Sequence, residues 1–335
     1  MKKIFLSTQI PDDKTAASKA KVDAMSILEK AGYHTVYFPK ITSVAVFRKF
    51  WKELSAQVSK DSHLVLEYPC WPLKRISLIY LFCLVKRIKV FGVIHDIGAL
   101  RLGWSPMKDM LFLKMFDGLV SHNASMTAWL KEKGYKKKIV NLEAFDYCLT
   151  QPRNFHETSI GEKFKLFYAG NLSYNKATYI YDKGLDKLDK VELCVYGQHF
   201  EKERINGSKV NYKGVFNPNT PDLPENYHFG LVWEGSSLDT CDGAFGNYIR
   251  FNNPHKFSLY LSLGLPVIVW KEAAIAAFVV DNKIGFTISS FRELETISER
   301  ITSDLYNEYI RNIYPFSEKV RSGYFLKTAI GELVK

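Results

Sequence analysis

The chain has 335 residues, 47% apolar and 24% charged, the proportions of a folded globular protein long enough for two domains. Its formal net charge of +11 points to an anionic partner, but the lysines are scattered and no nucleic-acid-binding module is readable, so nucleic acid is not expected. Five cysteines without a Cys-x-x-Cys pair argue against zinc and against a disulfide framework, and fit buried thiols in a reducing compartment.

The N-terminus runs from Met-Lys-Lys straight into a strand, Lys3–Ser7, without a signal-peptide core, which predicts a cytoplasmic location. A helix-length segment, Ala16–Ala31, separates it from a second strand at Thr35–Phe38. A third strand, His63–Tyr68, carries Glu67 near its end, where it could touch an acceptor. The longest apolar run, Ile76–Val85, is about half of what a membrane span needs and reads as a buried helix. The cluster Lys86-Arg87-Ile88-Lys89 after it, with Lys136-Lys137-Lys138, suits solvated helix ends and docking to an anionic bilayer alike.

Val90–Ile94 forms the fourth strand and ends in His95-Asp96, followed by Gly98 and Arg101. A histidine beside a carboxylate at the carboxyl end of a strand is placed for general-base work, and either His95 or Asp96 could serve. A pair that merely caps a helix is the competing reading. Gly118–Ser121 leads into His122 and Asn123, so His122, Arg101 and Glu67 are acceptor-side candidates. Ser125–Lys133 and Ile139–Leu142 complete the first set.

A polar, proline-bearing stretch, Thr150–Ser159, reads as a linker. Beyond it strands fall at Lys165–Ala169, Glu192–Tyr196, Lys209–Tyr212, Phe229–Trp233, Pro266–Trp270 and Gly285–Ile288. Strands separated by helix-length segments imply parallel sheets. The expected organisation is two doubly wound domains, residues 1–150 and 160–315, with a helix over about 316–335 packing back on the first. Ligands in such sheets lie beyond the carboxyl ends of the strands, which would put the active site in a cleft between facing domains.

Three strand ends in the second half point to a nucleotide. Gly170-Asn171-Leu172-Ser173 offers a glycine that lets backbone amides approach a phosphate, although an ordinary turn explains it as well. Tyr196-Gly197 could hold a base against the ring or the backbone. In Asn253-Pro254-His255-Lys256, Pro254 suits the first helical position and Gly264 the position past the end, so Lys256 falls in the first turn. A cation there is unfavourable unless an anion faces it, and a diphosphate is the simplest candidate. Asp239 and Asp242, in the preceding glycine-rich loop, could bind sugar hydroxyls or simply close turns. No Gly-x-Gly-x-x-Gly, Walker A or Gly-x-Ser-x-Gly motif is present, which disfavours dehydrogenase, ATP-dependent and common hydrolase chemistry.

The strings Gly170–Ser173, Phe229–Trp233, Thr240–Gly246 and Phe251–Lys256 resemble the bacterial β-1,6-galactofuranosyltransferases of O-antigen assembly, as do Ile94–Ile97, Ser121–Asn123 and Val280–Asn282. A more distant likeness runs to the glucosyltransferases that modify streptococcal serine-rich adhesins. The resemblance implies a GT-B fold, α/β with two Rossmann-like domains, a UDP-sugar donor held mainly by the second domain, and no cofactor or bound metal. Donor contacts are then expected from Gly170, Asn171, Leu172, Tyr196, Gly197, Asp239, Asn253, His255 and Lys256. A β-linked product from an α-linked donor requires inversion with one base, Asp96 or His95. A Lys256→Ala protein should keep its fold and lose turnover. The acceptor would be a glycan, lipid-linked or protein-linked; peripheral membrane contact and homo-oligomerisation are both compatible with the chain. Asp182–Lys190 and Phe200–Ser208 depart from the family pattern, which leaves the donor sugar open.

Overall fold

A computed structural model describes residues 2–7, 16–40, 42–70, 72–149, 160, 163–205, 209–221, 223 and 226–335; the linker expected at Thr150–Ser159 lies outside them. The chain divides into two compact units, Met1–Asp146 with Gly323–Lys335, and Tyr147–Ser322.

The first unit holds β1 (Lys3–Ser7), β2 (His34–Tyr37), β3 (His63–Tyr68), β4 (Lys89–Ile94), β5 (Gly118–Ser121) and β6 (Lys138–Asn141). They form one sheet in the order β2-β1-β3-β4-β5-β6, every pairing parallel. The crossovers are α1 (Ala16–Lys30), α2 (Val44–Gln57), α3 (Lys74–Lys86), α4 (Gly98–Leu102) with α5 (Pro106–Leu113), and α6 (Ala124–Glu132). Runs such as Leu64-Val65-Leu66 are buried on both faces, which is why parallel strands read as continuous rather than alternating hydrophobicity.

Ile76–Val85 is helical, within α3, but it is not a buried helix. Ile76, Ile79, Phe82 and Cys83 face inward, whereas Leu81 and Val85 are 59% and 74% exposed. A helix laid over one face of a sheet buries a single stripe, however apolar its other side.

The second unit holds β7 (Phe164–Ala169), β8 (Val191–Tyr196), β9 (Val210–Tyr212), β10 (Phe229–Val232), β11 (Val267–Trp270) and β12 (Gly285–Ile288). Their order is β12-β11-β10-β7-β8-β9, again all parallel. Helices α7 (Gly243–Tyr248), α8 (His255–Ser262), α9 (Ala276–Asp281), α10 (Glu293–Ile297) and α11 (Ser303–Ser322) belong to this unit. Between β7 and β8 the lysine-rich stretch is built of 3-10 turns, Thr178–Tyr181 and Lys183–Lys187, in place of the expected crossover helix. The strand order reverses between β7 and β10, so their carboxyl ends form the topological switch point at which open α/β sheets bind ligands.

The last helix, α12 (Tyr324–Leu333), belongs to the first unit and packs on β5, β6 and α1. Gly323, at φ 75°, makes the turn from α11; a Cβ there would lie 2.6 Å from Ile27 Cγ1. The Asp146 carboxylate accepts from Phe325 N at 3.1 Å and Leu326 N at 2.8 Å, capping the start of α12. Burial pushes this carboxyl up to about 7 despite those two bonds.

Candidate active site

The second-unit site is built on α8. Pro254 is its N-cap, with φ −64° and ψ 133°, not its first helical residue, so His255 and Lys256 open the helix. At the other end Gly264, φ 69°, donates to Leu261 O and Leu265 N to Tyr260 O, the paired bonds of a glycine-terminated helix. Tyr260 lies one turn after Lys256 on the same face. Its ring packs on Gly230, where a Cβ would come within 2.2 Å of Tyr260 Cγ.

The pairing of β7 with β10 ends at Gly230–Phe167. Just beyond, Tyr260 Oη donates to Leu231 O at 3.0 Å and accepts from Ala169 N at 3.1 Å. One hydroxyl therefore joins both strands at the switch point and fixes the start of α8 above it. Tyr260→Phe strands a buried N–H and a buried C=O, and is expected to cost about 2–4 kcal/mol in urea unfolding. A loss under about 0.5 kcal/mol would mean that water or a backbone shift replaces the bridge.

Lys256 Nζ donates to Glu234 Oε1 at 2.6 Å and lies 3.8 Å from the centre of the Tyr168 ring. A Cβ on Gly170 would stand 3.5 Å from the same Nζ. Both members of the ion pair are nearly buried, with side chains 9% and 12% exposed. Burial pushes the Lys256 pKa down, opposed by the Glu234 carboxylate. Glu234 Oε2 is buried and has no hydrogen-bond partner among the described residues. The anion that a lysine at a helix start requires is thus supplied, in this state, by the chain itself. Glu234 was not among the residues read from the sequence. Its signal was there: a carboxylate just past the end of β10, at the switch point.

The other donor candidates divide. Gly170 lies beside Lys256, but its N–H is committed to Tyr196 O at 3.0 Å, and Leu172 N–H to Gln198 O at 2.9 Å, so these amides do not cradle a phosphate. The Leu172 side chain is fully buried. Asn171 Oδ1 accepts from Ser173 N at 2.9 Å, closing the turn. The Tyr196 ring cannot stack a base: it is buried among Phe167, Phe216 and Tyr227, its hydroxyl 2.6 Å from that of Tyr227. Gly197, φ 150°, serves close packing, since a Cβ would come within 1.7 Å of Gly170 O. Asp239 is an exposed partner of Arg292, at 2.8 Å, which holds its carboxyl below the usual range. Asp242 accepts from Ser236 N at 2.7 Å and closes its loop. Asn253 is buried, and the His255 ring lies 5.0 Å from that of Tyr147.

In the first unit, His95 follows β4 and its Nε2 is 3.0 Å from Glu67 Oε1 on β3. Strands β3 and β4 pair in register through Tyr68–Ile94, which brings these neighbouring ends together. The His95 ring stacks on Phe145 at 5.7 Å and 13°. Glu67 is buried beneath His95, so it touches the histidine rather than an acceptor. His122 is likewise buried, and Nε2–H donates to Ile94 O at 3.1 Å. Desolvation, helped by His95, pushes the His122 pKa down to about 3; it is a neutral structural ring, not an acceptor contact. Asp96 is paired with the Arg101 guanidinium, both partly exposed.

The start of α4 between them hangs on Asp109, which sequence reading also missed. This fully buried carboxylate accepts from Ala99 N at 2.6 Å, Gly98 N at 3.3 Å, Trp104 Nε1 at 2.5 Å and the Tyr68 hydroxyl. Among the described residues no three His, Cys, Asp or Glu side chains gather as a metal site, and no helix is long and apolar enough to cross a membrane.

Comparison with known proteins fits this architecture. The N-terminal domain model of the glucosyltransferase 3-like family matches residues 3–144, and its C-terminal domain model residues 166–333. The chain is 36% identical over 251 residues to the beta-1,6-galactofuranosyltransferase WbbI of Escherichia coli K12, covering 74% of this chain and 72% of that one. It is 31% identical over 105 residues to a protein named glucosyltransferase 3 from Streptococcus gordonii, covering 31% and 30%. The solved structure of HepE from Anabaena, in complex with UDP and glucose, superposes with a TM-score of 0.60 at 13% identity, over 99% of this chain and 98% of that one. Two all-parallel six-stranded sheets with this likeness make the fold GT-B, and the chain belongs to the glucosyltransferase 3-like family of glycosyltransferases.

Proposed function

We propose that the protein transfers galactofuranose from UDP-galactofuranose to a glycan acceptor in the cytoplasm, with inversion and without a metal ion. The observation that carries this reading is the 36% identity, over 72% of its length, to a relative named as a β-1,6-galactofuranosyltransferase. In this reaction the acceptor oxygen forms a bond to the anomeric carbon as the bond to UDP breaks. The acceptor proton passes to His95. With Nε2–H committed to the Glu67 carboxylate, Nδ1 is the atom that takes it. The departing diphosphate draws on the Lys256 ammonium and the start of α8, whose positive charge does the work a metal would otherwise do.

A second reading, a UDP-glucose-dependent glucosyltransferase acting on a protein-linked glycan, is favoured by the two family-domain matches. Calorimetric titration of UDP in EDTA, with ADP, GDP and NAD as controls, tests the donor site common to both. Selective UDP binding is the expected result; preference for another nucleotide overturns the assignment. Incubation with UDP-galactofuranose and UDP-glucose then separates the readings by which sugar is consumed.

A further inference from the structure

We propose that the outer surface of α3 and of α4–α5, in the first unit, docks on an anionic lipid bilayer. Strands β3, β4 and β5 are successive neighbours in the sheet, so right-handed crossovers lay α3 and α4–α5 side by side on one face. That face exposes Leu81, Leu84 and Val85 from α3, and Leu102, Met107 and Leu111 from α4–α5; Met107 is 80% exposed. Large apolar side chains grouped on one outer face mark an interaction surface rather than the scattered exposure normal for a protein in water.

The charges on the same surface choose the partner. Lys74, Lys86, Arg87, Lys89, Lys108 and Lys114 are all exposed. Between Pro69 and Phe116 the only acids are Asp96, engaged by Arg101, and Asp109, which is fully buried. An apolar stripe ringed by cations and empty of free carboxylates matches a bilayer surface of acyl chains beneath anionic headgroups. A second copy of the same face would set these cations against one another, which disfavours self-association there. Docking would hold the enzyme where a lipid-linked acceptor is presented, but the surface stands independently of the donor assignment.

The test is co-sedimentation with vesicles of phosphatidylcholine containing one-third phosphatidylglycerol, and with phosphatidylcholine alone. The unmodified protein should bind the anionic vesicles selectively and be released by salt. Lys86→Glu/Arg87→Glu/Lys89→Glu should weaken partitioning about 100-fold or more, at about 1 kcal/mol per basic residue. Leu81→Gln/Val85→Gln should weaken it about tenfold. These are surface positions, and thermal melting checks that both variants keep the parent fold. The proposal fails if the unmodified protein ignores anionic vesicles, binds neutral ones equally, or binds undiminished with both variants. It fails equally if light scattering finds that Leu81→Gln/Val85→Gln dissociates an oligomer that does not bind vesicles, which would assign the face to a second copy.

Discussion

Replacing Lys256 by alanine is expected to lower kcat about 10²–10³-fold, by removing a cation from the developing diphosphate charge. The structure adds a second effect. Glu234 is nearly buried and would lose its partner, and an unpaired buried carboxylate costs about 3–5 kcal/mol. The expectation of an intact fold in Lys256→Ala therefore gives way to a destabilised protein, and low activity alone would be ambiguous. The double variant Lys256→Met/Glu234→Gln removes the pair together. It should unfold at nearly the parental urea concentration yet remain inactive, with UDP binding weakened. Recovery of turnover in that variant would reduce Lys256 to a structural residue.

His95→Gln is expected to lower kcat about 10²–10⁴-fold, the range for loss of a general base. UDP titration should be unchanged, because donor binding is assigned to the second unit. Glu67→Gln should do less. Its amide can still accept from Nε2–H, but without the charge that stabilises the protonated ring. Full activity in His95→Gln, with the loss appearing in Asp96→Asn, would transfer the role to Asp96.

The strands were legible because both sheets are parallel and covered on both faces, which writes each strand as a short apolar run between polar segments. Every strand expected from the sequence is present to within one residue at either end. Side-chain roles were less legible, since they depend on what the opposite surface provides. The Phe229–Trp233 run located a strand, but nothing local said that the next carboxylate would meet a lysine 22 residues on. Tyr196 and His122 sit at strand ends, where ligand contacts are common. Their rings turn inward because the segment before β10 supplies the Tyr227 hydroxyl and β4 supplies Ile94 O as partners. A lysine at the start of a helix demands an anion in front of it, and the sequence of α8 shows that demand without showing what meets it. Only tertiary structure could answer with Glu234.

The return of α12 to the first unit has a consequence for synthesis. Leu326, Ile330 and Leu333 complete the cover over β5 and β6, and Asp146 waits at the far end of the first segment for the amides of Phe325 and Leu326. Domains commonly fold in the order in which they leave the ribosome. Here the unit made first lacks its closing helix until the whole second unit has been translated. Its sheet must persist half-covered through that interval, which makes the nascent first unit, not the finished enzyme, the form most open to chaperones and proteases.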